Sequence, residues 1–333
     1  MSTVAAATER RSVAGRLDRW WPVATWANLV AQVGIVVTGG VVRVSRSGLG
    51  CPTWPRCVPG SLTPVATQAE GFHKYIEFGN RLLTSVVSVT ALAVLVVAVL
   101  AVSATGAPRR WIWWGSIPPL LVLAQAVLGG ITVLTGLSPQ TVAAHFLVSQ
   151  VLVAASVWLL LTGPPSGPGE PPDDTVSPYG VGESATVAAP PTRREIRVLA
   201  TLVAAATAAV LVMGTVVAGS GPHSGDTRPT GRFPLDPQLV SWLHADLVLV
   251  LLGLVVATVV AVRVTDHVAV LRRRAGVLLV VTLAQGLLGY VQYFTGLPEA
   301  VVVAHMLGAA LLVIAVTALS VSVFRPQPAV VRL

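Results

Sequence analysis

Apolar residues in this chain fall into eight long blocks, at about 24–42, 76–103, 112–134, 140–162, 196–218, 238–262, 275–295 and 300–323. The short stretches between them hold nearly all the charge. Each block is close to the ~20 residues an α-helix needs to cross a hydrocarbon layer. The blocks are too long and too evenly apolar for the one-sided stripe of a soluble surface helix. The pattern predicts an all-α polytopic membrane protein with eight transmembrane helices. Composition agrees: 54% of the 333 residues are hydrophobic and 11% charged, with a mean hydropathy of +0.76. No soluble domain of that length reads this way.

The formal net charge of +8 would fit a nucleic-acid partner, but its distribution points to a lipid bilayer instead. With the N-terminus inside, fifteen arginines lie on the inner side, among them Arg10, Arg109, Arg193, Arg272 and Arg325. Six basic residues (Arg43, Arg46, Arg56, Lys74, Arg228 and Arg232) lie on the outer side. The positive-inside rule then places both termini, 1–23 and 324–333, in the cytoplasm of a cell-membrane protein. The Arg-bearing N-terminus lacks a cleavable signal pattern, so the first span is expected to stay.

A Pro- and Gly-rich segment over 163–195 interrupts the apolar blocks. It cannot bury enough apolar surface to fold alone, so it is expected to be a disordered cytoplasmic linker. It divides the chain into four-helix units at 24–162 and 196–323.

The units repeat. Between 123–145 and 283–305, aligned without a gap, eleven of twenty-three residues are identical, starting with Leu123-Ala124-Gln125 and ending with Ala144-His145 and Ala304-His305. A shorter match aligns Gly39-Gly40-Val41-Val42 with Gly214-Thr215-Val216-Val217. Each unit ends on the side where it began, so the repeats are parallel, as two tandem four-helix bundles related by an axis near the membrane normal.

Three histidines occupy one depth in this arrangement. His145, His244 and His305 each lie five or six residues into a span that enters from the outer side, roughly 7–9 Å below the boundary. A single membrane histidine is often only a packing residue. Two in one unit at one depth, His244 and His305, suit the two axial positions of a heme iron. Zinc or copper would want further Cys, His or carboxylate ligands nearby.

The equivalent place in span two holds Asn80. Glu77 lies one turn before it and His73 a further turn before Glu77, and the three share a helix face. Glu77 and Asp246 are the carboxylates clearly inside spans. Buried charge there is costly unless paired. Two readings of Glu77 stay open: a plain interfacial pair with Arg81, four residues on, or a functional carboxylate in a polar pocket. The two cysteines, Cys51 and Cys57, share the long loop before span two on the oxidising side, where a disulfide is expected. It is either a structural staple or a redox element. His223, in the second outer loop, is expected to be exposed.

These residues together resemble the heme A synthase family, over the whole chain apart from the N-terminus, linker and tail. Glu77-Phe78-Gly79-Asn80-Arg81 stands where the family carries Glu-x-x-His-Arg. The histidines of spans four, six and eight match its ligands, and Cys51 and Cys57 match the loop pair of bacterial members. The resemblance implies oxidation of the C8 methyl of heme o to a formyl group, giving heme a for terminal oxidases. It implies a resident heme b on His244 and His305, His145 as ligand of the substrate heme, and Glu77 as the catalytic carboxylate. Asn80, His73 and Arg81 are candidate substrate-site residues. Heme o is expected from a heme O synthase (a protoheme farnesyltransferase), by direct contact or otherwise, and electrons from a donor the sequence does not identify.

One departure stands out. An asparagine amide is a poor iron ligand, so His145 alone, or with another group, would hold the substrate iron. His73 is on the right face but two turns further out. The competing reading is a non-catalytic, cytochrome b-type electron carrier, which has no evident need for Glu77. A transporter would show polar residues at mid-membrane, whereas here they cluster toward the outer face.

Overall fold

The computed structural model of the chain describes residues 2–163, 193–223, 225–226, 231–265 and 268–325. Most of the linker expected over 163–195 and all of the tail after Arg325 lie outside the described residues. Among those residues every named element is a helix: α1 (Ser2–Val44), α2 (His73–Thr105), α3 (Arg110–Leu134), α4 (Pro139–Thr162), α5 (Arg194–Ser220), α6 (Pro237–Thr265), α7 (Ala269–Phe294) and α8 (Glu299–Phe324). All eight contain a stretch long and apolar enough to span a membrane, and the protein is a multi-pass membrane protein. Most helices overrun the apolar blocks because their polar ends continue the backbone hydrogen-bond ladder beyond the hydrocarbon. In α1 only Arg19–Val44 is apolar enough to cross. Helix α7 starts six residues ahead of its apolar block; there Arg274 donates to the Ala318 carbonyl of α8 (2.7 Å) and bonds Ser322.

Helix α2 shows how the spans are sorted. Leu82, Val86, Val89, Leu92 and Val96 recur every three or four residues and are exposed, the face turned to lipid. Val87, Ala91, Val94, Ala98 and Ala101 fill the opposite face and are buried. Small residues let helices approach where no hydrophobic gradient drives them together; Ala98 lies directly against Gly115 of α3.

Within each unit the helices close a ring. α1–α2–α3–α4 pack in sequence with α4 returning to α1, and α5–α6–α7–α8 do the same. The rings meet through α1 and α4 against α5 and α8, around Leu29, Val153, Val157 and Val313. Each ring has its own apolar floor. In the first it is Val87, Ala91, Val122 and Leu152, with Ala31 and Ile35 against them. In the second the corresponding cluster includes Val210, Leu251, Val255 and Leu312.

The duplication extends to backbone geometry. Helices α3 and α7 both end at a threonine (Thr135, φ −91°; Thr295, φ −96°). A left-handed glycine and a left-handed leucine follow each: Gly136 (φ 62°) and Leu137 (φ 60°), Gly296 (φ 77°) and Leu297 (φ 62°). Leucine is a costly residue in that region, so the same costly turn has been kept twice. In both, the leucine amide caps the helix, on the Thr132 carbonyl or the Gln292 carbonyl (2.9 Å each). Leu137 then packs over Gly48 and Gly225, one from each unit's loop.

The loops before α2 and α6 lie at one end of the molecule and hold the units together. Gly48 donates to the Gly225 carbonyl (2.7 Å), and Ser47 bridges to Asp226. The Arg43 guanidinium donates to the carbonyls of His223 (2.9 Å) and Ala218 (2.7 Å). His223 is half-buried rather than exposed, because its Nε2 is bound to the Leu297 carbonyl at 3.0 Å. Replacing Arg43 by Met strands two carbonyls and is expected to lower stability by about 1–3 kcal/mol, read as an earlier unfolding midpoint in detergent with bound-cofactor content unchanged.

Candidate functional site

Above each floor, toward the end that carries the joined loops, the inward positions of each ring, here called its chamber, follow helical spacing. In the second ring His244 lies seven residues before Leu251, His305 seven before Leu312, and Gly214 four after Val210. In the first, Asn80 lies seven before Val87, His145 seven before Leu152, and Gly39 four after Ile35. Residues four or seven apart share a helix face. The floors therefore establish the correspondence: His145 with His305, Asn80 with His244, Gly39 with Gly214 and Gly129 with Gly289.

Each imidazole rests on a glycine of the neighbouring helix. A Cβ added at Gly129 would meet His145 Cε1 at 3.2 Å. At Gly214 it would meet His244 Cε1, and at Gly289 His305 Cε1, both at 3.3 Å. An added Cβ at any of the three would force the ring to give by a few tenths of an ångström. A glutamine on the third helix of each unit braces the same turn: Gln125 Nε2 donates to the His145 carbonyl (2.9 Å) and Gln285 Nε2 to the His305 carbonyl (2.7 Å). Gln125 also bonds Ser149. Sequence reasoning passed over these glycines and glutamines, although Gly129/Gly289 and Gln125/Gln285 are identities within the repeat.

His244 and His305 are close enough to interact electrostatically. The Nδ1 atoms of all three histidines are buried with no hydrogen-bond partner among the described residues. The Val210 carbonyl faces His244 without reaching it in hydrogen-bond geometry. No group of three or more His, Cys, Asp or Glu residues able to hold a bare metal ion occurs among the described residues. Two neighbouring imidazoles with no further donor fit a metal that brings its own equatorial ligands, as heme iron does. Asp246, two residues past His244 and so on the far side of α6, is exposed.

The first chamber has a different mouth. Glu77 is buried, at 5% exposure. Its Oε1 accepts from Arg81 Nη2 (2.7 Å) and Nε (3.0 Å), and its Oε2 from the Cys51 amide (2.6 Å). Arg81 carries on to the carbonyls of Cys51 (2.7 Å), Thr53 (3.0 Å) and Arg56 (3.3 Å). The expected disulfide joins Cys51 and Cys57, so the carboxylate and guanidinium together grip the ring it closes. Trp54 of that ring lies against Gly130 of α3, beside the Gly129 that seats His145. Lys74 holds the rest of the loop through the Val65 (2.7 Å) and Ala66 (3.2 Å) carbonyls.

The other candidate residues of the sequence separate here. Arg81 is committed to Glu77 and the loop. His73 belongs to the rim, with Nδ1 bound to Ser47 Oγ at 2.9 Å and its ring stacked on Phe72. Asn80 stays at the chamber wall, where its Oδ1 accepts from Thr38 Oγ1 of α1 at 2.7 Å.

Removing Glu77 leaves Arg81 without its anion. Breaking a fully buried pair costs about 3–5 kcal/mol, but the Arg81 side chain keeps 22% exposure. For Glu77→Ala we expect a loss nearer ~2 kcal/mol, with faster proteolysis of the 51–70 loop under non-reducing conditions. An unchanged cleavage rate would show that the loop does not depend on this pair.

The chain matches the family model COX15-CtaA, described as "Cytochrome oxidase assembly protein", over residues 21–318. A protein of Geobacillus thermodenitrificans named "Heme A synthase" is 34% identical over 150 residues, 43% of this chain and 44% of that protein. One from Geobacillus kaustophilus (strain HTA426), of the same name, is 35% identical over 134 residues, 38% of each chain. Another, from Lysinibacillus sphaericus (strain C3-41), is 34% identical over 138 residues, 40% of this chain and 43% of that protein. The matched stretches thus span less than half the length of these curated relatives. The family match instead runs through both rings, both chambers and the disulfide loop, and the chain belongs to the COX15-CtaA family of cytochrome oxidase assembly proteins.

Proposed function

We propose that the chain is a heme A synthase, oxidising the C8 methyl of heme o to a formyl group by successive hydroxylations. The observation that carries this reading is the inequality of the two chambers. One presents two neighbouring imidazoles, His244 and His305. The other presents a single imidazole, His145, under a mouth built from Glu77, Arg81 and a disulfide-closed loop. A pure electron carrier has no use for that mouth. The relatives named "Heme A synthase" support the same reading.

In this reading His244 and His305 hold a resident heme b, and His145 is the protein ligand of heme o in the first chamber. Bound heme supplies the redox chemistry. The residues of the chain orient, enclose and move protons. Gly129 and Gln125 fix the height and angle of the His145 ring. Trp54 and the disulfide-closed ring cover the chamber, limiting the access of water. Glu77, one turn outward of Asn80, relays protons to the site as the methyl is hydroxylated, with Arg81 stabilising its charge between steps. The loop-closing role of the Cys51–Cys57 bond follows from the grip that Glu77 and Arg81 have on it.

The bias of fifteen basic residues to six supports cytoplasmic termini and chambers toward the outer face. Heme o then arrives from a heme O synthase in the same membrane; an external oxidant such as dioxygen supplies each inserted oxygen atom, and a membrane donor the accompanying electrons through the heme b half.

The test is co-expression with a heme O synthase in a host lacking heme A, followed by extraction and identification of the hemes. Heme a is expected, and Glu77→Ala is expected to abolish it. Either His244→Ala or His305→Ala is expected to remove the low-spin, bis-imidazole heme b signal. Bound heme b with heme o available, but without any hydroxylated or formyl product, would favour the electron carrier.

A further inference from the structure

The four wall positions that correspond across the two rings are not filled alike. Gly129, Gly214 and Gly289 each carry an imidazole at van der Waals distance. Gly39, the counterpart of Gly214, has no atom within 4 Å of where its Cβ would stand. That space lies inside the bundle. Ala31, Ile35 and Gly39 are spaced by four on one face of α1, and the first two pack on the floor of the first ring. Asn80 occupies the place of His244, but its side chain is shorter and is drawn toward α1 by Thr38.

That hydrogen bond also orients the amide. Thr38 Oγ1 also lies within reach of the Gly34 (3.1 Å) and Ile35 (3.2 Å) carbonyls, but its one hydrogen goes to the nearest acceptor, Oδ1 at 2.7 Å. The Asn80 NH2 group then points away from Thr38, with no acceptor among the described residues. The glycine seat thus faces a hydrogen-bond donor and no ligating nitrogen.

We propose that the Gly39–Asn80 seat is a binding pocket for a small uncharged ligand of the diatomic or water class. The ligand sits on the face of the substrate iron opposite His145, and the Asn80 amide donates a hydrogen bond to it. The proposal rests on the heme A synthase reading and deepens it. His145 becomes the sole protein ligand of the substrate iron, and Asn80 a positioning residue for what binds on the other face. The second chamber, with both seats filled, is closed to such a ligand. One fold then supplies one ligand-accepting site and one electron-transfer site by changing a single side chain.

Carbon monoxide is the probe, because it binds reduced five-coordinate heme and is excluded by two imidazoles. The full-length protein, loaded with heme by co-expression with a heme O synthase, is purified, reduced and saturated with the gas. The expected result is a carbon monoxide difference spectrum from about half the bound heme, lost in His145→Ala together with that heme. Asn80→His is expected to convert that heme to a low-spin form that no longer takes the gas. Gly39→Leu, which fills the seat without touching Asn80, is expected to abolish gas binding while the His244–His305 heme is retained. Asn80→Leu and Thr38→Val are expected to keep the gas but move its stretching frequency upward, the signature of a lost donor.

Two hemes per chain, both low-spin and inert to the gas, would overturn the open seat and leave the synthase reading standing. Heme content that His145→Ala does not change would overturn both. An unshifted stretching frequency in Asn80→Leu would overturn the role of the amide.

Discussion

Everything in the two chambers depends on an imidazole whose Cε1 edge sits close against a helix that has no side chain at that point. A glycine at Gly129, Gly214 or Gly289 lets the neighbouring helix come close enough for the ring to become part of the wall. In a hydrocarbon surround, where apolar burial gives little reason for helices to associate, such close approach is a main source of packing energy. The same contact therefore joins the helices and presents the histidine. The glutamines that hold the His145 and His305 backbones keep the ring at a fixed height. The floors beneath, from Ile35 to Leu152 and from Val210 to Leu312, limit how deep anything bound above them can sit.

The end that carries the joined loops shows how the two halves of a duplicated scaffold come to differ. A charged pair near the membrane surface is worth little alone. Glu77 and Arg81 gain importance because both ends of the pair also bind the loop: the Cys51 amide on one side, the carbonyls of Cys51, Thr53 and Arg56 on the other. The paired carboxylate is thus also the residue that holds the disulfide-closed loop. Arg43 plays the corresponding part between the units, spending its donors on carbonyls of the second half. The two chambers are consequently held in one rigid relation, a requirement for passing electrons from one to the other in the proposed reaction.

The sequence by itself determined the eight spans, the internal repeat and the matching positions of His145, His244 and His305 along their helices. Each of these depends on local apolar periodicity or on repetition, and both are written along the chain. The disulfide was legible too, from two cysteines in one loop and no others. What only the tertiary structure decided was which neighbour each polar group found. Arg81 and Glu77 could not be assigned from spacing alone, because their partners in the 51–56 loop lie more than twenty residues away and are mostly backbone carbonyls. His223 read as exposed because its partner, the Leu297 carbonyl, lies 74 positions further on. The glycine seats were present in the repeat but had no visible meaning until the rings above them were placed. The difference between Gly214, which holds an imidazole, and Gly39, which holds none, exists only across two helices, where no single stretch of sequence can record it.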